Sequence, residues 1–259
     1  MCIRDSFRDL DDDAYTAACV DDLTQVFDMM TSGDVAAMIA EPIQGVGGFA
    51  TPPDGFFGAM KKELDNRGVL FISDEVQTGW GRTGEHFWGY QAHGITPDVL
   101  TFAKGVGNGL SLGGVVASAE LMDSLPGNSL STFGGNPMSS IGALATIRYM
   151  LEHDIQGHAL RMGERLAGHL RPAVDASTTV AELRGRGLML AIEAVQPGTI
   201  DPNADAAGRI MEEARAAGLL IGKGGLYGNV LRIAPPMTVT EEEIDEAGTV
   251  LVGIIEGLG

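Results

Sequence analysis

The sequence predicts an α/β fold built on a mainly parallel sheet, and three observations carry that prediction. Short apolar runs, VAAMIA at 35–40, FIS at 71–73 and VLTF at 99–102, are separated by stretches of helical periodicity. The run at 35–40, the helical stretch 55–67 and the run at 69–73 form a β-α-β unit, the mark of a parallel sheet. The runs also end in charge: Glu41 follows the first, Asp74 and Glu75 the second, and Lys104 stands just beyond the third. Bounded apolar runs read as strands buried on both faces, and ligand sites of such sheets lie at the strands' carboxyl ends. An isolated carboxylate is too costly to desolvate there, so Asp74 needs a cation or a protonated ring nitrogen as partner.

Taken in order, residues 1–20 are assigned to no element, and their opening, MCIRDSFRDLDDDAY, lacks the apolar centre of a signal peptide. Residues 21–32 suit a short amphipathic helix ended by Gly33. After the β-α-β unit, VLTF and GGVVASA (113–119) add two further strands. Helices are expected at 138–153 and about 156–170, and VAELRGRGLMLAIEA (180–194) alternates like a half-exposed strand or hairpin. Residues 203–217 read as helix, VLRIAPP (230–236) as a strand stopped by prolines, and Thr240 with Glu243 as a capping box opening the last helix. This divides the chain into a partial large α/β domain with a linking helix, 21–171, and a small C-terminal α+β domain, 172–259.

At 259 residues and 44% hydrophobic, the chain is long enough to bury a full core. No apolar run is long enough to cross a membrane, so the expected location is cytoplasmic. A net charge of -18, without lysine or arginine clusters, excludes nucleic acid and anionic membranes as partners. Cys2 and Cys19 fit no metal or redox spacing, and a structural disulfide is not expected.

Several motifs have plainer readings. Glu75 and Arg82 suit a local ion pair in a loop, and His86 and His93, with no matching ligands, suit surface or packing roles rather than a metal. GVGNG at 105–109 follows a lysine and lacks the glycine spacing of a dinucleotide loop. GLLIGKGG at 218–225 is too short between its glycines for a P-loop, and no Ser or Thr follows Lys223. Lysines are otherwise confined to positions 61, 62, 104 and 223, so Lys104, between an apolar strand and a glycine-rich turn, stands out. A lysine kept partly desolvated there is neutral enough to attack a carbonyl, as pyridoxal phosphate chemistry requires, and a carboxylate on the ring nitrogen completes that requirement.

EPIQG at 41–45, DEVQTGWGRTG at 74–84, PDVLTFAKGVGNG at 97–109, STFGGNP at 131–137 and LRIAPP at 231–236 resemble, in order and spacing, the class III pyridoxal-phosphate aminotransferases. The match runs from about residue 21 to the C-terminus, and FWGYQAHGITPDVLTFAKGVGNG most resembles the alanine–glyoxylate aminotransferase 2 branch. The resemblance implies a type I fold of pyridoxal-phosphate transferases, with Lys104 carrying the cofactor and shuttling the proton at Cα. It implies that Asp74 holds the pyridinium proton, Val76 packs on the ring and Gln77 bonds the ring hydroxyl. Thr132 resembles the residue that reaches the phosphate of a neighbouring subunit, hence a homodimer. Arg232 resembles the arginine that grips the substrate carboxylate, and Glu41 the glutamate that pairs with it and releases it.

The implied reaction moves an amino group from an amino donor to a 2-oxo acid such as pyruvate or glyoxylate. A same-fold aminomutase, or an inactive dimerising fragment, are the alternatives. The family's preceding portion, with its phosphate-binding loop and stacking aromatic, has no counterpart here, so the sequence is expected to be N-terminally truncated and not to transaminate alone.

Overall fold

Four strands line up in the order β1-β2-β3-β4 at the centre of the first of two units. They are β1 (Ala37–Ala40), β2 (Leu70–Asp74), β3 (Val99–Phe102) and β4 (Gly114–Ala117). The computed structural model describes Phe7, residues 10–127 and residues 129–258. This unit takes the chain up to Pro42, Pro52–Trp80 and Trp88–Glu152, whereas Ile43–Thr51, Gly81–Phe87 and His153–Gly259 form the second.

In the first unit β1, β2 and β3 run parallel, and β4 returns antiparallel to β3. The helix α1 (Asp12–Met30) begins well before the predicted residue 21, because Asp11 caps it by accepting from the Ala14 amide at 2.8 Å. A charged DLDDD run hid this start, since Asp in a helix's first turn is favourable even where the apolar period is weak. With α2 (Phe56–Asn66), α1 buries Tyr15, Cys19, Phe57 and Leu64 against Phe71 of the sheet. Cys19 is a buried thiol in this core, and Cys2 lies outside the described residues. A file of rings runs through it, with Tyr15 to Phe56 at 5.8 Å, Phe56 to Phe57 at 5.1 Å and Phe57 to Phe71 at 5.4 Å.

The expectation of strands buried on both faces is corrected. Along β2, Phe71 and Ser73 are buried whereas Ile72 and Asp74 are half-buried, and Ile39, paired in register with Ile72, is 60% exposed. Helices α1 and α2 cover one face, leaving the Ile39–Ile72 face with less cover. On the rest of this unit, the short α3 (Ala119–Asp123) follows β4, and α4 (Pro137–Glu152) presents Met138, Ile141 and Leu151 outward.

The second unit is an antiparallel sheet under three helices. The helix α5 (Ile155–Ala176) precedes β5 (Val180–Arg186) and β6 (Met189–Ala194), then come α6 (Ala204–Ala216), β7 (Gly222–Gly224), β8 (Val230–Ile233) and α7 (Glu241–Glu256). Strand order is β5-β6-β8-β7. The sequence boundary near 172 falls inside α5, a helix whose Leu166 and Leu170 belong to this unit's core. The predicted hairpin at 180–194 is present as β5 and β6, with β5 largely half-buried, but its second strand is not half-exposed: β6 is buried throughout, with helices on one face and the 43–51 loop, through Ile43 and Phe49, against Met189, Ala191 and Val230.

Close backbone approaches fix this packing. A Cβ on Gly84 (φ 79°) would lie 2.6 Å from the Leu160 Cα, so only glycine lets the 81–87 loop rest on α5. The predicted capping box is present on α7, where the Thr240 amide donates to Glu243 Oε2 at 2.8 Å and the Glu243 amide to Thr240 Oγ1 at 3.2 Å. Among the described residues no helix is long and apolar enough to cross a membrane.

Candidate active site

Three parallel strands end side by side, and each hands the chain to a polar residue. The β1–β2 register pairs Ala40 with Ser73, placing Glu41 one residue beyond the last pair, and the β2–β3 register pairs Asp74 with Thr101. Lys104 follows β3 after Ala103 and opens a 3-10 turn, Lys104–Gly107. The parallel pattern thus brings Glu41, Asp74 and Lys104 to one edge of one sheet, where βαβ units expose their carboxyl ends.

The two adjacent carboxylates differ in surroundings. Glu75 is fully buried and takes four donors: Ser73 Oγ at 3.1 Å, Thr78 Oγ1 at 2.6 Å, and the Gly89 and Tyr90 amides at 2.8 Å each. It pins the 3-10 turn Gly89–His93 to the end of β2, and burial together with its charge raises the Tyr90 hydroxyl pKa. Asp74 is half-buried, and among the described residues its hydrogen-bond partner is the Val76 amide at 3.1 Å. Its remaining lone pairs are open to a ligand. Val76 and Gln77 are half-buried in the turn that follows.

Lys104 is exposed, a correction to the expectation of partial desolvation, and pairs with no carboxylate among the described residues. Its backbone is left-handed, at φ 45°, an uncommon conformation for a residue with a side chain. The turn it opens rests on aromatics. Trp80 lies 3.6 Å from where a Gly105 Cβ would stand, and packs edge-on to Trp88 at 4.8 Å and Phe102 at 5.4 Å. Thr132 is exposed on the loop between α3 and α4, in a turn closed by the Gly134 amide on Ser131 Oγ at 3.0 Å.

In the second unit, Arg232 projects from β8 into a setting made of backbone. Its Nη1 donates to the Gly45 carbonyl at 3.4 Å and its Nη2 to the Lys223 carbonyl at 3.2 Å, and its Cζ lies 5.6 Å from the Phe49 ring centre. Its Nε is buried without a partner, and no carboxylate pairs with the guanidinium among the described residues. Any anion must therefore be taken on the Nη edge. Gly224 makes the slot, since a Cβ there would come within 2.9 Å of Arg232 Nε.

The predicted ion pair between Glu75 and Arg82 is corrected. Glu75 is saturated as described, and Arg82 Nη1 instead donates to the Leu188 carbonyl at 2.9 Å and the Pro235 carbonyl at 3.0 Å. Burial lowers the pKa of that guanidinium. His93 is buried and packs edge-on to Phe57 at 5.0 Å, a packing role. Sequence reasoning missed Phe49, Arg184 and Glu193, since a left-handed phenylalanine and a buried ion pair leave no periodic mark.

The profile of the family described as aminotransferase class-III matches residues 4–255. The chain belongs to the class-III aminotransferases. An alanine–glyoxylate aminotransferase 2 homologue, mitochondrial, from Arabidopsis thaliana is 40% identical over 226 residues, covering 86% of this chain and 47% of that protein. An alanine/serine racemase from Pyrococcus horikoshii is also 40% identical, covering 83% of this chain and 45% of that one. Among solved structures, a transaminase from the marine bacterium Virgibacillus superposes with a TM-score of 0.86 at 30% identity, covering 94% of this chain and 58% of its own. A phospholyase from Arthrobacter in complex with phosphoethanolamine gives 0.89 at 30% identity, covering 96% and 60%. This class-III chain thus spans about half the length of the curated relatives it matches.

Proposed function

We propose that this protein is a pyridoxal-phosphate-dependent aminotransferase that moves an amino group from an amino donor to a 2-oxo acid such as pyruvate or glyoxylate. The observation that carries the reading is the placement of Glu41, Asp74 and Lys104 at the carboxyl ends of three neighbouring strands. The residues fit the cofactor: a lysine that, among the described residues, pairs with no carboxylate and a half-buried aspartate with open lone pairs lie at the carboxyl end of one sheet.

When bound, pyridoxal phosphate supplies the electron sink that acidifies the substrate Cα–H. Asp74 holds the proton on the ring nitrogen, because a carboxylate beside it favours the charged ring. Val76 would pack on the ring and Gln77 would hydrogen-bond its hydroxyl. Lys104 would hold the cofactor through its Nζ, and the same amine would take and return the proton at Cα. Arg232 takes the substrate α-carboxylate on its Nη edge, and Glu41 is the glutamate that would pair with that guanidinium and release it, so that two different substrates are accepted. Thr132 donates to the phosphate of a partner subunit, which makes the working species a homodimer.

The test joins residues 21–259 to the preceding portion of the Arabidopsis relative and supplies pyridoxal phosphate, L-alanine and glyoxylate. Pyruvate formation that Lys104→Ala abolishes is the expected result, and formation that survives this substitution overturns the reading. Proteins named racemase and phospholyase are among those this chain is similar to. Scrambling of alanine's configuration without consumption of glyoxylate would assign this chain the racemase chemistry instead.

A further inference from the structure

The loop that holds Arg232 is itself held. Phe49, under the guanidinium, has φ 52°, a conformation that a bulky side chain keeps only where its surroundings impose it. The constraint begins at the neighbouring residue. Gly48, at φ 93°, offers its carbonyl to Arg184 Nε at 3.0 Å. Arg184 Nη1 donates in turn to Glu182 Oε2 at 2.7 Å and to Glu193 Oε2. Asn229 Nδ2 closes the set, reaching Glu193 Oε1 at 3.4 Å and the Ala194 carbonyl at 2.9 Å. Burial opposes the charge on Arg184, and the carboxylates of Glu182 and Glu193 more than offset it.

A buried ion pair is a poor stability device, because apolar residues of equal volume often serve as well. What this pair supplies that apolar residues cannot is a directed N–H at the Gly48 carbonyl. The same short loop presents the Gly45 carbonyl to Arg232 Nη1 and lays the Val46 carbonyl on the Gly225 amide at 3.0 Å.

We propose that the Arg184–Glu193 pair is a positioning device for Arg232, keeping Phe49 and the Gly45 carbonyl against the guanidinium so that its Nη edge meets a substrate carboxylate in one orientation. This rests on the reading of Arg232 as the carboxylate site. Neither Arg184 nor Glu193 touches substrate; both act through the loop.

The full chain is titrated with pyruvate while the arginine Nε–H and Phe49 ring resonances are followed. Arg184→Lys keeps the charge and loses the Nε–H, and Glu193→Gln keeps the shape and loses the charge. Each should weaken pyruvate binding about tenfold, the scale of one hydrogen bond to a charged group, and shift the Phe49 ring signals. Arg165→Lys, which loosens an exposed α5–α7 ion pair, should leave pyruvate affinity unchanged even where it lowers the melting temperature. Wild-type affinity in Arg184→Lys and Glu193→Gln, with binding lost in Arg232→Lys, overturns the positioning role and spares the carboxylate site. Wild-type affinity in Arg232→Lys overturns the carboxylate site and the positioning role with it. Should Arg184→Lys fail to fold, Glu193→Gln and Phe49→Leu carry the same test, and wild-type affinity in both overturns the proposal.

Discussion

Asp74 and Glu75 are consecutive, yet Glu75 lies fully buried under four hydrogen bonds while half-buried Asp74 accepts from the Val76 amide. The alternation of a strand places neighbours on opposite sides, so one carboxylate becomes structure and the other is left for a ligand. Their variants should therefore separate. Glu75→Gln turns one acceptor into a donor that faces either the Gly89 amide or the Tyr90 amide, and should cost about 3 kcal/mol of stability in a denaturant titration. Asp74→Asn should cost less than about 0.5 kcal/mol and abolish pyridoxal phosphate retention in the joined protein. Equal destabilisation by both would remove the division of labour.

Lys104 is the lysine proposed to carry the cofactor because, among the described residues, its amine pairs with no carboxylate and it follows the strand next to the one Asp74 ends. Borohydride reduction of the joined protein with pyridoxal phosphate, followed by peptide mapping, should place the label on Lys104. A label on Lys223, whose carbonyl accepts from Arg232 at 3.2 Å, would move the chemistry to the other unit.

How much of this was legible follows from what leaves a periodic or positional mark. The strand ends at Glu41, Asp74 and Lys104 were readable because apolar runs stop abruptly at charge, and the Thr240–Glu243 box because capping needs those residue types at that spacing. The start of α1 was not, since its first turn is acidic rather than apolar. The triad of half-buried Arg184 and Glu182 with buried Glu193 was also invisible: alternating charge on a hairpin looks like a wet face until the 43–51 loop, more than a hundred residues away in sequence, lies against it. Glu75 and Arg82 misled for a related reason, as opposite charges near in sequence suggest a pair whereas each finds backbone partners first.

Arg232 should not tolerate loss of its two-armed fork even where the charge is kept. Arg232→Lys keeps the charge but loses the fork that spans Gly45 and Lys223, and should raise the Michaelis constant for carboxylate substrates of the joined protein at least about tenfold, leaving cofactor retention intact. An unchanged constant for every amino acid and oxo acid tried would place the carboxylate elsewhere.

The α5–α7 contact should make stability acid-sensitive. Arg165 grips Asp245 with Nε at 2.6 Å and Nη2 at 2.7 Å, His169 Nε2 reaches the same carboxylate at 2.8 Å, and Arg165 Nη1 also reaches Glu241 at 2.9 Å. The Arg165 guanidinium, then His169, hold the Asp245 carboxyl well below the usual carboxylate range. A depressed pKa stabilises the folded state fully above the unfolded value, about 4, and that contribution fades as pH falls toward the folded value. The melting temperature of the wild-type chain should therefore exceed that of Asp245→Asn at pH about 7, and the gap should narrow below pH about 4. Because all three partners are partly exposed, roughly 1 M salt should shrink the gap at neutral pH as well. A gap that widens on acidification would mean that Asp245 is not the group whose proton uptake weakens the α5–α7 contact.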